Sequence, residues 1–218
     1  MGSPWWGLCL EDELHRMAVT RGRLQVLRTE LGSLLEPEAV FAFLCHPPPL
    51  FPSHQISSEI CGFIRDVAPR SPKVIVEIGT AMSGTNFLLG HCLPSVELIL
   101  ALDLQPRNQR LVKLFQRPGL TRFFLRGPSA APETLASVQK LLGGRTVDLL
   151  FIDGDHAYAG VKADFDAYWP LVTEGGVVAF HDIVPDHKTR YGQDTGNWAG
   201  DVPRFWQEIK AGRRFENR

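Results

Sequence analysis

The chain has 218 residues, 44% of them hydrophobic, which is enough to bury a full core and fits one α/β domain with an extension better than two domains. Its 23 basic residues nearly balance its 24 acidic ones, which excludes a global field for recruiting nucleic acid or an anionic membrane and favours a small-molecule partner. No apolar run approaches the roughly 20 residues that span a bilayer. The start lacks a basic-then-apolar leader, and Cys9, Cys45, Cys61 and Cys92 form no close pair, so a soluble protein of the reducing cytoplasm is expected.

In chain order, Glu11–Leu35 is helical in character, with Met17, Thr20, Leu24, Leu27, Leu31 and Leu34 spaced alternately by three and four. Such a stripe packs on its own domain or, more rarely, against a partner helix. Glu36–Pro52 contains C-H-P-P-P-L-F-P, whose prolines argue against continued helix or central strand and predict a stiff connector placed to border a site. Residues 1–56 therefore read as a helical N-terminal extension with a Pro-rich connector, and 57–218 as the main domain. Ser57 or Ser58 is expected to cap a helix running to about Val67.

Lys73–Gly79 (K-V-I-V-E-I-G) is a β-branched run too continuous for a half-exposed strand, and it predicts a central parallel strand buried on both faces. The loop Gly79–Gly84 opens a helix to about Leu93, and Leu98–Leu104 gives the second strand. A helix over Asn108–Gln116, a short strand Arg122–Arg126 and a helix Pro132–Leu142 follow. Leu149–Ile152 and Val177–Phe180 are the last two strands, with an amphipathic helix between them. Five strand–helix alternations predict an α/β, doubly wound, Rossmann-like, mostly parallel sheet of order 3-2-1-4-5. Val184–Asp201 then reads as a long loop, and Asp201 as the N-cap of a last helix, Val202–Lys210.

Ligands of an open parallel sheet sit outside the carboxyl ends of its strands, which is where the chemistry collects. Glycines at 79 and 84 permit a tight turn, and the helix that follows offers free N–H donors to an anionic or nucleotide-like group. Asp103 closes the second strand about 20 residues further on, where a carboxylate can accept both hydrogen bonds of a ribose diol. The first loop is not G-x-G-x-x-G, and this suits a nucleoside without phosphates better than a dinucleotide. Asp153, Asp155 and His156 end one strand and His181 and Asp182 the next, so all five converge on one crevice. Tyr158, Lys162, Asp164 and Asp166 read as the solvated face of a helix, Trp169 as a core residue, and His187 and Trp198 as loop residues that cover a substrate or anchor the loop.

The motifs E-I-G-T-x-x-S-G-T, A-L-D-L and F-I-D-G-D-H-x-Y-x-G-V-K-x-D-F-x-x-Y-x-P-L-V-x-x-G-G-V-V-A-F-H-D-I resemble those of class I S-adenosylmethionine-dependent methyltransferases. More narrowly they are similar to the small-molecule O-methyltransferase group that includes macrocin-type and cephalosporin-hydroxylase-like proteins. The resemblance covers about Lys73–Lys210, and residues 1–56 carry none of it. It implies that Glu77, Gly79, Thr80, Ala81, Ser83, Gly84, Thr85 and Asp103 hold the methionine and ribose of S-adenosylmethionine, with Gly127 and Ser129 beside the adenine and Asp153 at the cofactor's edge. It also implies a cation site, Mg²⁺ or another divalent ion, on Asp153, His181 and Asp182, with Asp155 in the position of a general base.

A hard cation wants oxygen ligands and would lower the pKa of a substrate hydroxyl. His181 departs from that pattern: it either softens the site toward Mn²⁺, Fe²⁺ or Zn²⁺ or leaves His181 or His156 as an imidazole base. The expected activity is methyl transfer to a hydroxyl of a small molecule of the sugar or natural-product type. A hydroxylase or NAD-linked oxidoreductase on a similar fold, or a non-catalytic nucleoside-binding module, are the alternatives. The family's usual antiparallel finish to the sheet is missing before Arg218, so either Arg214–Arg218 begins a strand that is cut short, or the fifth strand is an exposed edge covered by a partner chain of a homo-oligomer or by the N-terminal segment.

Overall fold

The computed structural model describes residues 21–45, 50–185 and 198–212, with side chains of residues 21–24 left aside. The expected helix before residue 21, His187 and the segment from Arg214 lie outside the described residues. Eight α-helices are described: α1 (Arg21–Ser33), α2 (Pro37–Cys45), α3 (Ser57–Val67), α4 (Gly84–Cys92), α5 (Gln109–Leu114), α6 (Pro132–Leu142), α7 (Tyr158–Tyr168) and α8 (Val202–Gly212). The strands are β1 (Val74–Ile78), β2 (Leu98–Asp103), β3 (Thr121–Arg126), β4 (Val147–Ile152) and β5 (Val172–Phe180). They form one parallel sheet in the order β3-β2-β1-β4-β5, as the alternation of elements predicts.

The sheet is covered on both faces, which explains why its central strands are apolar without alternation. Ile75, Ile99, Leu149 and Phe151 pack on one side against α1 to α4, joined by Leu31, Leu44, Ile64 and Leu88. Val74, Val76, Ile78, Leu100 and Leu150 pack on the other against Val138, Phe165, Tyr168 and Phe205 of α6, α7 and α8. Among the described residues, β5 pairs only with β4. No described helix is long and apolar enough to cross a membrane.

Several local expectations need correction. The connector holds a helix, α2, because Pro37 occupies the first helical position, where its missing N–H costs nothing, and Val40 and Leu44 bury behind it. Neither Ser57 nor Ser58 caps α3: the cap position is Ile56, and Ser57 is already helical, its hydroxyl facing Cys61. Strand β5 begins at Val172 rather than Val177, with a register shift against β4 between Val147 and Leu149. Asp201 precedes α8, and its backbone carbonyl accepts from Phe205, but its carboxylate accepts from the Tyr158 N–H that starts α7.

Trp169 is 37% exposed, its indole stacked on Phe165 instead of entering the core. Asp164 is buried rather than solvated, because it accepts a hydrogen bond from the Ser129 hydroxyl across the loop after β3.

Glu77, in the middle of β1, is 1% exposed on the α4 side of the sheet. Asn86 donates to its Oε2 at 2.9 Å, and buried Arg122 reaches the Asn86 carbonyl at 3.3 Å. Burial pushes the Glu77 carboxyl up to about 7, opposed by bonding to Thr80 and Asn86 and by the Arg122 charge.

Two stability predictions follow from this packing. A Cβ on Gly84 would overlap the backbone of Pro52 and Ser53, whereas a Cβ on Gly62 in α3 would meet nothing within 4 Å. Gly84→Ala should cost about 2 kcal/mol or more, and Gly62→Ala should gain up to about 1 kcal/mol in urea unfolding. Equal effects would refute the close approach of the 52–53 backbone.

For Glu77, the folded pKa lies above the ordinary 4.5, so its contribution to stability is full below about pH 4.5 and is lost as pH rises through about 7. Glu77→Gln removes that loss, so the variant should gain on the parent by on the order of 3 kcal/mol between pH 4 and 8. A difference that stays flat across this range would contradict the burial of Glu77.

Candidate functional site

A cavity of about 760 Å³ opens along the carboxyl ends of β1, β2, β3 and β4. One wall is the loop between β1 and α4. The Gly79 and Thr80 N–H groups both donate to the Leu102 carbonyl, at 2.8 and 3.2 Å, which ties the loop to the end of β2. Ala81 and Ser83 take positive φ angles of 42° and 68°. Such strain persists where surrounding bonds hold it. Ala81 donates its N–H to Asp103 at 2.8 Å, the Ser83 hydroxyl donates to the Arg107 carbonyl at 2.6 Å, and Asn108 donates to the Met82 carbonyl at 2.8 Å.

Asp103 also accepts the Gln105 N–H at 2.7 Å on its other oxygen. Each carboxylate oxygen keeps a second lone pair, so the side chain is fixed and still able to accept two hydroxyls. Beyond it the cavity is lined by Gly127, Pro128, Ser129 and Ala130 of the loop after β3. Helix α7 braces that loop twice, through the Asp164 bond from the Ser129 hydroxyl and through Tyr168, whose hydroxyl donates to the Ser129 carbonyl at 2.7 Å. Desolvation raises the Asp164 carboxyl to about 6, offset in part by Ser129.

At the other end, the residues that follow β4 and β5 meet. His181 Nδ1 lies 3.2 Å from Asp153 Oδ1 and 3.2 Å from Asp182 Oδ2, and these three ligand-type atoms lie within 4.8 Å of one another. His156 Nε2 lies 3.7 Å from the same Asp153 oxygen and 3.5 Å from the same Asp182 oxygen. Burial disfavours a charged His181, but Asp153 and Asp182 outweigh it and push its pKa up to about 10. Bonding to Asp153 likewise raises His156 against its burial. Burial would raise Asp153, but bonds from His156, His181 and Gln55 hold it below the usual carboxylate range.

The donor set suits a divalent cation, because two carboxylates and an imidazole already point at one small volume and the nearby Gln55 amide donates to the outer oxygen of Asp153 at 2.7 Å.

Of the residues anticipated from the sequence, Gly79, Thr80, Ala81, Gly84, Thr85, Asp103, Gly127, Ser129, Asp153, Asp155, His156 and His181 line the cavity. Glu77 and Ser83 do not. Their side chains lie behind the loop and support it from below. Asp182 is buried behind His181, with a φ of 55° that turns its carboxylate inward. Asp155 is exposed at the cavity wall, and its Oδ1 accepts the Ala157 N–H at 2.9 Å, just before α7.

Sequence reasoning missed Pro52–Gln55 as individual residues. They line the cavity, the Ser53 hydroxyl is 2.9 Å from that of Thr85, and Gln55 holds Asp153. Only the rigidity of the preceding proline run hinted at them. Trp198, 70% exposed, lines the cavity lip, as its reading as a covering or anchoring residue allowed.

Residues 76–183 match the family described as a methyltransferase domain. An uncharacterized protein, R132, of Acanthamoeba polyphaga mimivirus is 50% identical over 36 residues, which is 16% of each chain, so the match spans only a small part of that relative. Among solved structures, an O-methyltransferase from Bacillus cereus in complex with S-adenosylhomocysteine is 19% identical, with a TM-score of 0.54 over 86% of both chains. The methyltransferase MycE of the mycinamycin biosynthetic pathway, in complex with Mg, S-adenosylhomocysteine and mycinamycin VI, is 18% identical, with a TM-score of 0.53 over 80% of this chain and 48% of its own. At these identities the structural likeness establishes the fold. The matched segment runs from within β1 to just past β5 and so carries all five strand ends that frame the cavity, which makes residues 76–183 a methyltransferase domain of the class I, S-adenosylmethionine-dependent type.

Proposed function

We propose that this protein is an S-adenosylmethionine-dependent O-methyltransferase that acts on a hydroxyl of a small molecule, of the sugar or natural-product type, with the help of a divalent cation. The observation that carries the reading is the single cavity in which a nucleoside-sized wall, Gly79–Thr85 with Asp103, faces the carboxylate–imidazole cluster at Asp153. The S-adenosylhomocysteine and Mg²⁺ bound to structural neighbours support it.

Asp103 would accept the ribose hydroxyls, the loop at 79–85 would hold the methionine part, and Gly127 and Ser129 would flank the adenine. When bound, S-adenosylmethionine supplies an electrophilic methyl carbon that the acceptor oxygen takes in one displacement as the carbon–sulfur bond breaks. Asp153, His181 and Asp182 would hold a divalent cation, which would supply the Lewis acidity that lowers the pKa of an acceptor hydroxyl.

Asp155 would take the hydroxyl proton. It lines the cavity, it is exposed, and only one of its oxygens is engaged by the Ala157 N–H. His156 and His181 turn their inward nitrogens toward the two carboxylates, which suits them better to holding a cation than to receiving the substrate proton. Glu77, Ser83, Asp164 and Tyr168 keep the two cofactor loops rigid, and much of the rate would come from that alignment.

Calorimetric titration with S-adenosylmethionine, with and without Mg²⁺, tests the reading. The parent protein should bind, and Asp103→Ala should weaken binding at least about tenfold, the loss expected for a charged acceptor of hydroxyl bonds. No heat from the parent under either condition would sink the proposal. Asp153→Ala combined with Asp182→Ala should keep S-adenosylmethionine binding and abolish S-adenosylhomocysteine release over a panel of hydroxylated sugars and phenols. A double variant that releases product at the parental rate would remove the cation from the mechanism.

A further inference from the structure

We infer that His156 is a fourth ligand of the cation site, and that the resulting set of two imidazoles and two carboxylates takes a borderline transition ion such as Co²⁺, Mn²⁺ or Zn²⁺ in preference to Mg²⁺. The inference rests on the cation part of the function proposed above and changes its ligand set and its metal.

The geometry is the first support. In a four-coordinate site with metal–ligand bonds of about 2.1 Å, neighbouring ligand atoms lie about 3.4 Å apart. The four imidazole–carboxylate separations, 3.2, 3.2, 3.5 and 3.7 Å, bracket that value. Both histidines meet the same two oxygens, Asp153 Oδ1 and Asp182 Oδ2; the ligand atoms within 4.8 Å of one another are those of Asp153, His181 and Asp182, so the His156 ring would close in on an ion held by those three.

The second support is what holds His156. Its Nδ1 lies 2.6 Å from the Trp198 carbonyl, which can only accept, so Nδ1 carries a hydrogen and Nε2 is the nitrogen that faces the cluster, where an arriving cation would displace its proton. A ligating histidine that gives its other N–H to a backbone carbonyl is the usual arrangement around metals. The His156 backbone is fixed as well: its carbonyl accepts the Asp201 N–H at 2.8 Å, and Gly200 lies so close that a Cβ there would meet it. The turn Trp198–Asp201 therefore sets the ring from outside the cluster, as Gln55 sets Asp153.

The choice of metal follows from the donors. Mg²⁺ demands six oxygens in near-octahedral geometry and gives up its waters reluctantly, so two nitrogen donors weaken its hold. Imidazole favours the later first-row ions, in the general order of their affinities for nitrogen and oxygen sites. If His156 binds the ion, it is not the substrate base, and that role stays with Asp155.

The test uses the full chain, stripped with chelator and titrated with Co²⁺, Zn²⁺ or Mg²⁺ alone. Co²⁺ should bind at least about tenfold more tightly than Mg²⁺ and show the visible bands of a low-coordinate site. His156→Asn should lose those bands and weaken Co²⁺ at least about tenfold while leaving Mg²⁺ nearly unchanged. A readout on the parent protein avoids any folding defect of the variant: electron-spin-echo spectra of the Cu²⁺-loaded chain should count two imidazole ligands. One imidazole, or equal affinity for Co²⁺ and Mg²⁺, overturns the inference and leaves the cation reading standing. No binding of any divalent ion overturns both.

Discussion

The site depends on a backbone-to-backbone contact between Gly79 and Asp153. The Asp153 N–H donates to the Ile78 carbonyl at 2.8 Å, which extends the β1–β4 ladder one residue past the strand ends, and a Cβ on Gly79 would overlap the Asp153 carbonyl. Gly79 also takes a φ of 86°, so the position requires glycine twice over, for conformation and for space. This contact sets the distance between the 79–85 loop and the carboxylate–imidazole cluster. A chain with a side chain there would keep both halves of the cavity and lose their relative placement.

Around that contact the chain stores conformational strain and pays for it with bonds to its own backbone. Ala81 lines the cavity and Ser83 and Asp182 lie just behind its two walls, each with positive φ. Asp103, Arg107 and Asn108, all at or just beyond the end of β2, are the partners that hold the first wall in place. The loop is thus shaped before a ligand arrives, which reduces the ordering cost of binding. Beneath it, Glu77, Asn86 and Arg122 form a buried polar layer in which burial raises the Glu77 carboxyl and lowers the Arg122 guanidinium. Such a layer is costly in isolation, and here it lies under the loop that needs to be rigid.

Much of this was legible in the sequence because the strands are buried on both faces. Runs such as Val74–Ile78 and Leu98–Leu102 admit no amphipathic alternative, so their order and the polar residues at their ends could be read directly. What could not be read are side chains whose partners lie far along the chain. Asp164 sits at a helical position that looks solvated, and only the bond from Ser129, 35 residues away, draws it inside. Asp201 fits its cap position through its backbone, yet its carboxylate serves the start of another helix. The helix Pro37–Cys45 was hidden by the prolines that follow it, although Pro37 itself is a helix starter.

The segment Pro52–Gln55 makes the N-terminal part of the chain more than a cover. Ser53 meets Thr85 at the start of α4, and its backbone fills the space left by Gly84, so it is pressed against the wall formed by the 79–85 loop. Two residues later Gln55 donates to Asp153, at the opposite wall. A stretch of four residues thus touches the hydroxyl end of one loop and the carboxylate of the other. Any ligand that draws Asp153 inward must pull on Gln55, and any ligand that spreads the 79–85 loop must push on Ser53. The two halves of the cavity are therefore linked through a segment that belongs to neither strand end.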